Sequence, residues 1–340
     1  MRKGLVTAYF LACTLVVAYS ADAVPATVST HAPATATTSS IATTPDIAAP
    51  AIAEPAIAAP ATAEVAPTRV SAFETEVESV PPSRDRVILQ AREPQRSVAT
   101  PVVADEAAAL LQQLVTAERA VRDPAVTGGE LAYMGHLQQL VYRRLIERPD
   151  LRDAVFAAIP ADLRGSADFN LAAGADLWLF GPVRVTELPE WRIVSAAPMN
   201  DLLRYYREAE AEFGVSWSYL AAINLVETRM GRIRGDSYAG AQGPMQFMPK
   251  TWDAYGDGDV NDPRDAILAA ARYLRASGAP ADIERAIWHY NHDPEYVDAV
   301  MKYAAVMKGD PNAFRGYYGW QVYYQTAYGT YLLPVGWSKD

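Results

Sequence analysis

The sequence predicts a mainly α protein, in which a helical region precedes a second, mostly helical domain with a small β element. Both follow a disordered Ala/Pro/Thr-rich segment. Three observations carry this reading. From about residue 103, apolar residues recur at steps of three and four, the spacing of one helix face. Gly and Pro punctuate that pattern at Pro160, Gly214, Gly231, Pro249, Pro263, Gly278, Pro294 and Gly309, where helices start and stop. The stretch before it is mostly Ala, Pro, Thr, Val and Ser, which bury too little apolar surface to fold.

The chain of 340 residues opens with Arg2 and Lys3. An apolar run follows from Leu5 to about Val17, then small residues to Ala23. These are the charged, apolar and small-residue parts of a secretory signal peptide. The run is short for a membrane span. Residues 1–23 are therefore expected to be cleaved, with the rest exported and not stably inserted in a membrane. Cys13, the sole cysteine, lies inside that run, so the mature chain is expected to hold no thiol. Residues 24–102 read as an extended tether. A formal charge of −10 argues against nucleic acid, which is bound mainly through basic patches.

Residues 103–195 form the helical N-terminal region. Helices are predicted over Ala107 to Val115, Glu130 to Ile146, Leu151 to Ile159 and Ala161 to about Phe180, with an irregular link onward to Pro198. His136, Gln138 and Gln139 read as polar positions on an amphipathic helix. The second domain spans residues 196–340. Asn200 is the expected cap of a helix over Asp201 to Phe213, closed by Gly214. Ser216 starts the next, which ends near Gly231. Residues 235 to 247 suit a loop or a short sheet, and Pro249 opens a short helix to Tyr255. Asp262-Pro263-Arg-Asp265 is a strong start for a helix ending at Gly278. Two helices follow, about Ala281 to Tyr290 and Pro294 to Met307. In the aromatic tail, Gly329 between two β-prone runs predicts a hairpin.

Glu227 stands out chemically. Leu220, Ile223, Glu227 and Met230 fall on one stripe of a helix that is otherwise apolar there. A carboxyl so placed loses water, which raises its pKa and keeps it protonated near neutral pH. Such an acid can hand its proton to a leaving group.

Glu227-Thr228 is followed by Gly243-Pro-Met-Gln-Phe-Met-Pro249 with Thr251-Trp252. Then come Ala286-Ile-Trp-His-Tyr-Asn291, Tyr296-Val297 and Val300. In this order the motifs resemble the soluble lytic transglycosylases, over roughly residues 200 to 305. The resemblance implies a lysozyme-like α+β domain that holds a peptidoglycan glycan strand. It also implies cleavage of the MurNAc-β-1,4-GlcNAc bond with formation of 1,6-anhydroMurNAc, as part of wall remodelling. By position it makes Glu227 the sole catalytic acid and then base. Thr228, Met245, Gln246, Tyr290 and Asn291 become substrate-binding candidates, with the Tyr290 hydroxyl reaching the acid. A second carboxylate is not needed when the substrate's own acetamido group assists. Hydrolysis on the same fold, and an inactive wall-binding protein, stay open as alternatives.

Departures from the family pattern occur at His289 and at His292-Asp293-Pro294, where relatives carry small residues. These two histidines lack a suitably spaced third ligand. Asp257-Gly-Asp-Val-Asn261-Asp262 lacks the acid that a calcium loop needs at its twelfth position, where Leu268 stands. It reads instead as a turn and a helix cap. No metal and no cofactor are expected.

Overall fold

The computed structural model describes residues 99–178 and 185–339. The expected leader, Cys13 and nearly all of the Ala/Pro/Thr-rich segment lie outside the described residues. Within them the protein is mainly helical, with eleven helices and two small two-stranded sheets.

The first four helices are α1 (Ala107–Arg122), α2 (Gly128–Glu147), α3 (Pro149–Ala158) and α4 (Ala161–Trp178). Helix α1 outruns its predicted end at Val115 because Ala117 and Val121 continue the buried face begun by Leu110 and Leu114. His136, Gln138 and Gln139 are not surface positions, contrary to the sequence reading; all three are buried. The Gln138 amide donates to the fully buried Glu118 carboxylate at 3.0 Å and accepts the Trp320 indole N–H at 3.0 Å. Tyr142 and Arg122 also donate to Glu118. The Gln139 side chain brackets the Gln321 backbone through both its N–H and its C=O, and His136 pairs with the Tyr323 hydroxyl. Burial of these polar groups is tolerated because each has a partner.

Next come β1 (Arg192–Ile193), α5 (Met199–Phe213), α6 (Trp217–Thr228) and β2 (Ile233–Arg234). Helix α5 starts one residue before Asn200, with Pro198 at the cap position. It ends on Gly214 in the left-handed conformation, which glycine adopts without a Cβ clash. Helix α6 is not amphipathic. All of its residues except Tyr219 are buried, so it runs through the core and not along it. It ends in an unusual turn in which Arg229, Met230 and Gly231 all have positive φ (53°, 62° and 78°).

Then follow α7 (Pro249–Tyr255), α8 (Pro263–Ala276), α9 (Ile283–Tyr290), α10 (Pro294–Gly309) and α11 (Ala313–Tyr318). Asp262, Asp282 and Asp293 cap α8, α9 and α10 by accepting first-turn backbone N–H groups. Helix α11 takes up residues that the sequence reading left as an aromatic tail, because Phe314 and Tyr317, one turn apart, both enter the core. The predicted hairpin is present as β3 (Val322–Thr326) paired antiparallel with β4 (Gly329–Leu333), in a register from Val322↔Leu333 to Thr326↔Gly329.

One apolar core runs from Leu110 through α6 to Trp320, shared by helices from both predicted regions. Helix α10 packs chiefly on α4 and α6. Near its middle, Lys302 bridges Asp176 of α4 at 2.6 Å. A second, smaller core lies between β1, β2 and the hairpin, built on Trp191, Ile193, Ile233, Val322, Tyr324 and Leu333.

Candidate active site

Glu227 lies in the last turn of α6 and is fully buried. The Tyr296 hydroxyl, in the first turn of α10, donates to its Oε1 at 2.6 Å. Its Oε2 is buried without a hydrogen-bond partner among the described residues. Burial lifts the carboxyl to a pKa of about 8, and the Tyr296 hydrogen bond pulls weakly the other way. No carboxylate contributes to this shift. At neutral pH the group is therefore mostly protonated. With Oε1 occupied by Tyr296, the proton sits on Oε2, as a donor with nothing yet to donate to.

The neighbouring turn over residues 243–246 is locked from several sides. Gln242 and Phe247 exchange two backbone hydrogen bonds of 2.8 Å around it. Gly243 (φ 73°) is obligatory, since a Cβ there would meet the Val260 carbonyl oxygen at 2.0 Å. Gln246 takes a positive φ of 52°, and its side-chain amide donates to the Gly243 carbonyl at 2.9 Å, closing its own turn. The Pro244 carbonyl accepts from the Thr228 hydroxyl at 2.6 Å and from Asn224, one helical turn earlier, at 2.7 Å. The Thr228 oxygen also accepts the Gly231 N–H at 3.0 Å, which ties the positive-φ turn to the same point.

Tyr290, at the end of α9, donates to the Met245 carbonyl at 2.6 Å. The sequence-based expectation that its hydroxyl reaches the acid is corrected here. Tyr296 makes that bond, because it lies on the helix packed against α6, whereas Tyr290 faces the turn. Tyr290 is still within electrostatic reach of Glu227. Burial first, and then the charge of that carboxylate, push the phenol well above its ordinary range. Phe247 packs edge-on against both Trp252 and Tyr290. Met245 and Asn291 are buried, Asn291 as the C-cap of α9.

The structure thus gathers Glu227, Thr228, Met245, Gln246 and Tyr290 around one turn, with Asn291 at its margin. Thr228 and Tyr290 act on the backbone of that turn. Two residues went unassigned in the sequence reading, Tyr296 and Asn224. Tyr296 was signalled by its place just after the Tyr290-Asn291 pair. Asn224 was signalled only by its spacing of four from Thr228. Among the described residues no group of three His, Cys, Asp or Glu side chains is arranged to hold a metal. Asp259 and Asp262 spend their carboxylates on backbone N–H groups of the turn and the α8 cap.

Residues 204–309 match the family described as the transglycosylase SLT domain. The membrane-bound lytic murein transglycosylase F of Thiobacillus denitrificans is 31% identical over 124 residues, which cover 34% of this chain and 26% of that protein. The chain thus spans about a quarter of the curated relative's length. No solved structure matches the chain. Among the described residues no helix is long and apolar enough to cross a membrane. The matched stretch, residues 204–309, holds Glu227, the turn after it and Tyr296, and is by this match a lysozyme-like transglycosylase SLT domain.

Proposed function

We propose that this chain is an exported lytic transglycosylase that cuts the MurNAc-β-1,4-GlcNAc bond of peptidoglycan and leaves 1,6-anhydroMurNAc. The observation that carries the reading is Glu227. It is a buried carboxyl with a pKa of about 8, held by Tyr296 at one oxygen and unpartnered at the other. Export rests on the expected leader over residues 1–23, and the SLT match together with the murein transglycosylase relative supports the substrate class.

In this reading Oε2–H protonates the bridging glycosidic oxygen as the C1–O bond breaks and the leaving sugar departs as an alcohol. The acetamido oxygen of the muramic residue covers C1. The Glu227 carboxylate then removes the proton from the C6 hydroxyl. O6 attacks C1, the acetamido oxygen is released, and Glu227 ends protonated, as it began. One group serves as acid and then base, which suits a pKa close to the working pH. Substrate assistance removes the need for a second protein carboxylate at the short separation of nucleophile-bearing glycosidases. Tyr296 fixes the carboxyl plane, so that one oxygen alone exchanges the proton. Thr228, Asn224 and Tyr290 hold the turn that lines the reacting sugar.

The test is the product. Digestion of purified sacculi followed by mass spectrometry is expected to give anhydro ends with the wild-type protein and none with Glu227→Gln. Reducing ends would replace this reading with hydrolysis. Equal digestion by both proteins would remove Glu227 from the chemistry.

A further inference from the structure

The outer face of the small sheet carries a like-charge pair. Arg192 of β1 stands directly opposite Arg234 of β2, so both side chains leave the same face. Ser338 bridges to the other side of Arg192 and extends the row to Ser338, Arg192, Arg234. On the reverse face, Trp191, Ile193 and Ile233 are buried in the second core, so the row faces outward. Like charges in opposed positions destabilise a sheet, and this pair persists in a chain of net charge −10.

The nearby acids do not resolve it. Glu187 and Glu190 are held by Lys339 at 3.2 and 2.7 Å. Asp262 and Asp259 accept backbone N–H groups, although their charges reach Arg234. Arg192 makes no ion pair among the described residues, and Arg234 is anchored only by the Asn261 carbonyl, at 2.8 Å. That anchor links the row to the turn of the candidate site through the chain at residues 260–261. Asn261 follows Val260, against whose carbonyl Gly243 rests, and the 243–246 turn is bonded to the Glu227 helix through Pro244.

Two guanidinium forks, which only donate, flanked by a hydroxyl that can also donate, match a carboxylate. A glycan strand in the site would carry carboxylates on its attached peptides. We infer that Ser338, Arg192 and Arg234 seat the carboxylates of those peptides, so that the protein prefers peptide-bearing strands to bare glycan. This deepens the proposed function and rests on it for the identity of the strand.

The test measures binding and cleavage separately. In a Glu227→Gln background, affinity for soluble peptide-bearing strands and for strands stripped of peptide is compared with and without Arg192→Gln. The Arg192 side chain has no ion-pair partner to lose, so this variant is expected to fold. Charged hydrogen bonds contribute about 1.5–3 kcal/mol, so its loss is expected to weaken binding of peptide-bearing strands roughly tenfold or more. Stripped strands should be bound unchanged. With active protein, Arg192→Gln is expected to raise KM on peptide-bearing strands at constant kcat. Equal binding by both proteins, or an equal loss on both ligands, overturns the inference. The proposed function fails separately, if wild-type protein cuts neither substrate while the binding difference persists.

Discussion

Replacing Glu227 by glutamine tests the central electrostatic claim without any substrate. The carboxyl has a pKa of about 8 in the folded protein against an ordinary value of 4.5. Between those values the folded state keeps a proton that the unfolded chain has lost, so stability falls as pH rises through this window and levels off above it. Linkage puts the cost at about 1 kcal/mol at pH 5, about 3 kcal/mol at pH 7 and about 5 kcal/mol at pH 9. Glutamine is close in shape, keeps an acceptor for Tyr296 and does not titrate. Its buried amide carries a penalty of its own, but a pH-independent one. The stability of Glu227→Gln minus that of wild type should therefore grow by about 4 kcal/mol from pH 5 to pH 9, on the order of 8–16 °C in Tm for a domain of this size. Every other titrating group is common to both proteins and cancels. Thermal and urea unfolding of the pair across this range at fixed ionic strength measures the difference. A flat difference would show that Glu227 is already ionised in the folded protein, and the acid role would fall with it.

Other perturbations follow from the same geometry. Tyr296→Phe removes the hydrogen bond that favours the charged form, so the alkaline limb of the cleavage pH profile should move to higher pH, with kcat lower by about 10²-fold; an unmoved limb would exclude Tyr296 from contact with the acid. Thr228→Val removes one of the two donors to the Pro244 carbonyl, strands the Gly231 N–H and should cost about 1–3 kcal/mol by urea unfolding, whereas Thr228→Ser keeps both bonds and should cost less. Gly243→Ala drives a Cβ into the Val260 carbonyl at a positive φ, and should abolish cleavage together with a loss of more than about 2 kcal/mol of stability; an active, stable variant would mean that the turn is not held as described. Glu118→Gln leaves the Arg122 charge without its buried partner and should destabilise the N-terminal helices by about 3–5 kcal/mol, read as a drop in Tm.

Much of the helical layout was readable because Pro and Gly act locally. Pro249, Pro263 and Pro294 each open a helix, Gly214 closes one, and Asp262 caps α8 as its spacing predicted. The hairpin was visible for the same reason. The residues that misled were those whose state depends on what packs against them. Gln138 and Gln139 sit at positions that a helical wheel leaves to solvent, and contacts with other elements, α1 and the chain from α11 onward, bury them. The start of the aromatic tail is helical because Phe314 and Tyr317 enter the core.

For the candidate site, order along the chain was enough to nominate Glu227 and the turn at Gly243, since motif residues keep their chemistry wherever they fold. It did not reveal which tyrosine holds the acid. Tyr290 and Tyr296 are six positions apart on consecutive helices, and the choice between them depends on helix packing. Helix α10 lies against α6 and brings the Tyr296 hydroxyl to Oε1, while Tyr290 meets the Met245 carbonyl. The shift in Glu227 is likewise a property of the assembled core. A carboxyl's affinity for its proton depends on the water it has lost, and the whole of α6 had to be enclosed before that water was gone.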